Sequence, residues 1–329
     1  MSIRCLVVAA ALAALSFAQG PAPKKKAAAA KAAVLRTAWG EPDLQGIWDF
    51  ATITPLERSN AMAGKEVLSD SEAAEFEKTT LEQRNQDRRD GGAAADVGRA
   101  YNHFWWDFGT KVIGTKRTSL IVDPPDGRIP PMTPEGKARA DALAATRRGP
   151  PAGPENRNLW ERCLVAPNAG PPMIPSAYNN NVQIFQTRGT VVIYNEMIND
   201  ARIVPLDGRP QIPENIRQWR GSSRGRWDGA TLVVETANFR NDINFRGSTA
   251  GLRLVERFTR VDAGTLLYEF TVTDPATWTR PWSVALPMSK SDGPVYEYAC
   301  HEGNYGMVNL LAGARAEEKA AAVTGKGSR

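Results

Sequence analysis

Glu256 stands in the setting of this sequence best suited to acid/base chemistry. It lies in LRLVERFTRVDAGTLLYEFTV, where alternation puts Leu254, Glu256, Phe258, Leu266, Tyr268, Phe270 and Val272 on one face of a hairpin. A carboxyl group among apolar and aromatic neighbours is either held protonated by desolvation, and then serves as a general acid or base, or is neutralised by a cation. The second arrangement is structural: an ion pair with an arginine of the neighbouring strand perturbs a pKa as a catalytic site does. His301, followed by Glu302, is the other candidate for moving a proton. The segment YNHFWWDFGTK, Tyr101 to Lys111, is the densest aromatic cluster of the chain. Trp105, Trp106, Asp107 and the nearby Arg117, with Tyr268 of the hairpin, are the candidate ligand-binding residues, because pockets combine apolar walls with a few placed polar groups. Either tryptophan alone reads as core.

Other chemistries find no footing. The chain has 2 histidines, with no H-x-x-x-H, no H-E-x-x-H and no cysteine cluster, so no metal site is expected. It has no G-x-S-x-G, Walker or dinucleotide glycine motif, and no cofactor is expected either.

The elements that must position these residues begin after an export signal. Residues 1–18 carry one arginine, then LVVAAALAALSFA with small residues at Ser16 and Ala18; this is a secretory signal cleaved near Ala18 and too short to span a membrane. Residues 19–36 form an Ala/Lys/Pro linker without the composition of a fold. The body, one domain over 37–322, precedes a disordered tail at 323–329. Arg4 and the linker's Lys24, Lys25, Lys26, Lys31 and Arg36 account for more than the formal net charge of +5, and the body from Thr37 onward is at −1. The basic character is thus a property of the leader. It argues against a nucleic-acid groove. With the signal removed no integral membrane segment remains, and Cys5 leaves with it. Cys163 and Cys300 are then alone in an oxidising compartment and are expected to pair, fixing His301 in place. The loop so closed corresponds to ~4–5 kcal/mol in the chain-entropy model.

The body reads as antiparallel strands. Asp228-Gly229, Arg188-Gly189 and Asp262-Ala263-Gly264 mark hairpin turns. A three-residue loop with Gly264 in the left-handed region puts Val261 opposite Thr265, Arg257 opposite Glu269 and Phe258 opposite Tyr268. A helix is expected from Ser69 or Asp70 to about Arg89, anchored by Phe76 and Leu81 and ended by Gly91-Gly92. TPEGKARADALAATRR is a second, capped helix. SLIVDPPDGRIPP and ARIVPLDGRPQIP share I-V, a proline and D-G-R, which reads as a recurring strand-exit turn or an old duplication. Asn179-Asn180-Asn181 serves loop backbone or a ligand. PVYEYAC reads as a last strand, and a helix from about Gly306 with a stripe of Met307, Leu310, Leu311 and Ala314 is expected on the outside of the sheet.

Gly46-Ile47-Trp48 resembles the G-x-W pattern at the start of lipocalin-like (calycin) barrels, in which the Trp closes one end of the barrel. Taken together, LQGIWDF, YNHFWWDFGTK, RTSLIVDPPDGRIPPMTPEG, DARIVPLDGRP, SRGRWDGATLVVETANF, LVERFTRVD and YEYACHEGNYGM resemble a family of uncharacterised secreted bacterial proteins, frequent in acidobacteria and some proteobacteria. The resemblance covers nearly the whole mature chain and implies export and fold, with no activity attached. Many members carry His where this chain has Asn199, so a role for that His does not transfer.

The expected fold is mainly β: an antiparallel lipocalin-like barrel with helical and Pro-rich insertions and a C-terminal helix, with a β-sandwich or small propeller as the alternative. Three functions follow from different classes. The first is a secreted or periplasmic protein holding a small apolar or aromatic molecule in the barrel cavity. The second is a cofactor-free acid/base enzyme, a lyase, isomerase, decarboxylase or hydrolase using Glu256 or His301. The third is a structural or interaction module of the envelope. The sequence leaves the ligand and the oligomeric state open.

Overall fold

The computed structural model describes residues 35–99, 102–241 and 245–323. The expected signal, the expected linker before Leu35 and the expected tail beyond Val323 lie outside the described residues. Alternating burial along the strands explains the sheet. In Arg253–Arg260 (β8) and Thr265–Thr273 (β9) every second side chain is buried, and these are the residues of the Glu256 face. Their register is the expected one, with Arg257 opposite Glu269 and Phe258 opposite Tyr268. The turn chemistry differs. Gly264 is not left-handed; the Asp262 side chain accepts from Gly264 N at 2.8 Å and makes the bend instead.

The other strands are Gly46–Asp49 (β1), Ile121–Asp123 (β2), Asn181–Thr187 (β3), Thr190–Asn195 (β4), Asp200–Pro205 (β5), Ser222–Asp228 (β6), Thr231–Ala237 (β7) and Trp282–Ser291 (β10). They form one antiparallel sheet in the order β5-β4-β3-β1-β10-β9-β8-β7-β6, with β2 added on β10. A single continuous sheet replaces the two layers of a sandwich or the blades of a propeller. Its inner side chains, from Val191 and Val204 at one end to Leu232 and Phe258 at the other, belong to one buried cluster, so the sheet curls around its own core. Each large side chain buried there contributes about 1.5–3 kcal/mol. No ladder joins β5 to β6 among the described residues, so hydrogen bonding does not close the sheet into a barrel. The two edges nevertheless touch at Gly225, where a Cβ would lie 2.5 Å from Leu206 Cδ2 and 2.8 Å from Val204 Cγ1. Trp48 is fully buried; its Nε1 donates to Leu44 O at 2.9 Å, and the Arg260 guanidinium sits 5.2 Å from its ring centre.

The two D-G-R copies have the same geometry. Asp126 Oδ1 accepts from Arg128 N at 3.0 Å and Asp207 Oδ1 from Arg209 N at 3.2 Å, each around a left-handed glycine, so the repeat is a recurring Asx turn.

Helix Asp70–Arg84 (α1) starts with a capping box between Ser69 and Glu72. It stops five residues short of Arg89, and Gly92 opens a further short helix, Gly92–Gly98 (α2), instead of ending the first. Pro134–Thr146 (α3) is capped by Thr133. Tyr305–Val323 (α4) buries the expected side of its stripe, at Ala314, but not against the sheet: Arg315 donates to the carbonyls of Pro151 and Ala152, and Asn304 to that of Glu161. The Pro-rich insertion carries unpaired carbonyls that a strand face does not offer. Pro294 to Ala299, expected as a last strand, forms none among the described residues. Cys163 and Cys300 form a disulfide with Cα atoms 5.7 Å apart, tying that insertion to the start of α4. Among the described residues no helix is long and apolar enough to cross a membrane.

Candidate functional site

Glu256 has a partner, and it comes from the far edge of the sheet. Arg202 on β5 faces it across the core, with Nη2 2.9 Å from Oε1 and Nη1 on Oε2. Tyr268 Oη donates to Oε1 at 2.8 Å and accepts from Met173 N at 3.1 Å. Burial alone works to lower the Arg202 pKa, but the charge and hydrogen bonds of Glu256 leave it raised. Burial and then the Glu256 charge push the Tyr268 hydroxyl well above its ordinary range. A second pair lies beside the first: Arg220 Nε binds Asp200 Oδ2, and Arg220 Nη1 donates to the carbonyls of Ala169 at 2.8 Å and Gly170 at 3.3 Å. Two cations and two anions make this group neutral. With both oxygens of Glu256 occupied and its side chain fully buried, the carboxylate is built as an internal counter-ion.

His301 lies in the exposed turn after the disulfide, with no side-chain partner among the described residues. The structure does not bring it to Glu256. Nor does it gather the aromatic candidates with Tyr268. Trp105 is 60% exposed and packs edge-on against Phe104; Arg117 is paired with Glu66. Trp106 stacks on Phe108 at 5.1 Å and meets Tyr178 edge-on at 6.3 Å, and its buried Nε1 has no hydrogen-bond partner among the described residues.

Asp107 does enter an electrostatic group. Burial raises the pKa of Asp49 and of Asp107, and each is raised further by neighbouring carboxylates, Asp107 and Glu196 for Asp49, Glu196 for Asp107. Glu196 is buried, accepting from Asn181 Nδ2 at 2.8 Å and Tyr296 N at 3.0 Å. The neighbouring asparagines are structural: buried Asn180 donates to the carbonyls of Asp107 and Ser176, both at 2.9 Å. No group of three ligating side chains able to hold a metal occurs among the described residues.

Open space lies outside the sheet's core. A cleft of about 350 Å³ is walled by Trp160, Trp219 and Phe245, by the Pro171-Pro172 segment, and by Arg147 and Arg246. Phe245 stacks on Trp282 at 6.2 Å, so the cleft wall is continuous with the aromatic core, and Arg240 covers the Trp219 ring at 4.2 Å. A second cleft of about 380 Å³ holds Phe108 and Arg84, whose guanidinium lies 5.0 Å from the Phe108 centroid. The two share Ile174. No family model, curated protein or solved structure matches this chain.

Asp107 and the aromatic run are legible in the sequence, whereas Trp219, Phe245 and Arg246 are not. These lie in segments without periodicity, and the one available signal was Trp219 between two arginines in RQWRG.

Proposed function

We propose that this chain is an exported protein that holds a small apolar or aromatic molecule, and that its site is the cleft of Trp160, Trp219 and Phe245. The carrying observation is that cleft: about 350 Å³ with three aromatic walls, within the range of small-ligand pockets. The inner face of the sheet is a poorer host, because Trp48, Tyr268, Phe270 and Trp282 occupy it as fully buried side chains. A lipocalin-like barrel remains the fold reading that fits the G-x-W tryptophan and the meeting of the sheet edges at Gly225, with the ligand moved from lumen to rim. Export is supported by the hydrophobic leader, by the disulfide, and by the resemblance to secreted bacterial proteins.

Titration of tryptophan fluorescence with aromatic acids, phenols and sterols tests this. Saturable quenching that is lost in Trp219→Ala and kept in Trp105→Ala is the expected result. Binding unaffected by Trp219→Ala, or absent throughout, sinks it.

A second reading, an acid/base enzyme, rests on Asp49 and Asp107, whose carboxyl pKa values are raised by burial and by neighbouring carboxylates. It requires that a bound ligand be turned over by the wild type and not by Asp107→Asn, as followed by mass spectrometry.

A further inference from the structure

Two cations, Arg147 and Arg246, line the aromatic cleft. Neither the Arg147 nor the Arg246 side chain makes a hydrogen bond or salt bridge among the described residues. The arginines around them are occupied: Arg157 with Glu161, Arg202 with Glu256, Arg220 with Asp200. The two cleft arginines also belong together structurally. Arg147 caps α3, and the turn Phe245–Gly247 packs on that helix, with Gly247 close to Ala140.

Arg246 is also held at φ 50° and ψ 38°, in the left-handed region, and Gly247 follows at φ 84°. A long side chain there is a departure from the glycine or asparagine that would adopt this backbone with less strain. Such an outlier points to a use for the side chain. Arg246 is exposed as a residue, although partial burial of its side chain lowers its pKa, an effect that the Glu57 charge opposes. Both arginines line the same cleft, so an anion bound there is attracted by both charges.

We propose that the cleft recognises an aromatic carboxylate, its ring against Trp219, Trp160 and Phe245 and its carboxylate held by Arg246 with Arg147. The inference rests on the cleft being the binding site and adds the charge and shape of the ligand. The planar fork of a guanidinium matches the two oxygens of a carboxylate, and the hydrogen bonds so formed are the strong, charge-assisted kind. Aromatic walls continuous with Trp282 supply contact area for a planar ring.

Calorimetric titration with 2-naphthoate and its uncharged counterpart 2-naphthamide tests the charge separately from the ring. The wild-type chain is expected to bind the acid at least about tenfold more tightly than the amide. Arg246→Gly is expected to abolish that preference, with a melting temperature unchanged or raised because glycine relaxes the left-handed backbone. Arg147→Gln, at an exposed position, reduces the preference in part and serves if the glycine variant does not fold. Equal binding of acid and amide by the wild type, or a preference that survives both substitutions, overturns anion recognition and leaves the cleft reading standing. Binding of neither compound overturns both.

Discussion

Arg202 and Glu256 meet across the interior from strands that are not neighbours, 54 residues apart in sequence and joined by a two-point fork with Nη2 at 2.9 Å. β8 pairs with β7 and β9, and β5 with β4, so no ladder brings these side chains together. What brings them together is the curl of the sheet. The pair therefore reports closure: if the edges moved apart, both charges would be left in the core without a partner.

Removing one member of this pair should cost about 3–5 kcal/mol, because the other charge stays buried. Arg202→Met is expected to lower the urea midpoint strongly, and Glu256→Leu similarly. The double variant Arg202→Met/Glu256→Leu should recover most of the loss, since an apolar pair of similar volume suits the surrounding core. Denaturation of all three decides it; additive losses in the double variant would mean that the two groups do not act as a pair.

The hairpin containing Glu256 was readable from residue types because a period of two and a short turn fix register locally, which is why Arg257 opposite Glu269 holds. That same alternation says which face Glu256 occupies and nothing about what lies across the core. Its partner depends on sheet curvature, which accumulates over several strands and has no local code. Even Arg257, opposite Glu269 in the register, finds its ion-pair partner in Asp228, at 3.0 Å. The disulfide was legible by elimination, with two cysteines left once the expected signal is set aside. The cleft was not, because residues 158–174, Trp219 and Phe245 meet only through loop conformations. The α4 stripe was visible in sequence, while the surface it covers was not.

Asp49 should make stability depend on pH in the direction opposite to an ion-paired carboxylate. Its folded pKa is raised, chiefly by burial and further by Asp107 and Glu196, while its bond from Ala51 N works against the shift. Its stabilising contribution is full below the ordinary aspartate value of 3.8 and is lost as pH rises through the raised folded pKa. Asp49→Asn keeps an oxygen for Ala51 N and carries no charge. It is expected to leave the melting temperature nearly unchanged at acid pH and to raise it at neutral pH. A variant destabilised at neutral pH would show that the carboxylate is held by a cation.

The Cys163–Cys300 bridge closes a loop with a separation of 137 residues, for which the chain-entropy model gives about 4–5 kcal/mol. It also holds the start of α4 against the 151–163 segment. Cys163→Ala/Cys300→Ala should lower the melting temperature and speed amide exchange in Tyr305–Val323 more than in β8 or β9. Uniform acceleration across the chain would instead place the effect on global stability alone.

Arg220 links its half-exposed partner Asp200 to the cleft, and its removal should affect ligand binding although it is not a wall residue. Its guanidinium spans from Asp200 to the carbonyls of Ala169 and Gly170, and Gly170 lines the cleft next to Pro171. Burial lowers its pKa, the Asp200 charge opposes that, and Arg202 nearby adds to the lowering. It stays cationic because Asp200 and two carbonyls face it. Lysine keeps the charge but offers a single point in place of a fork, so it cannot reach the acid and both carbonyls with the same geometry. Arg220→Lys is expected to weaken ligand affinity about tenfold, while Arg220→Met, which also leaves Asp200 unpaired, lowers stability as well. The comparison separates positioning from charge. If Arg220→Lys binds ligand as the wild type does, the carbonyl contacts do not hold the cleft wall, and Arg220 serves only to neutralise Asp200.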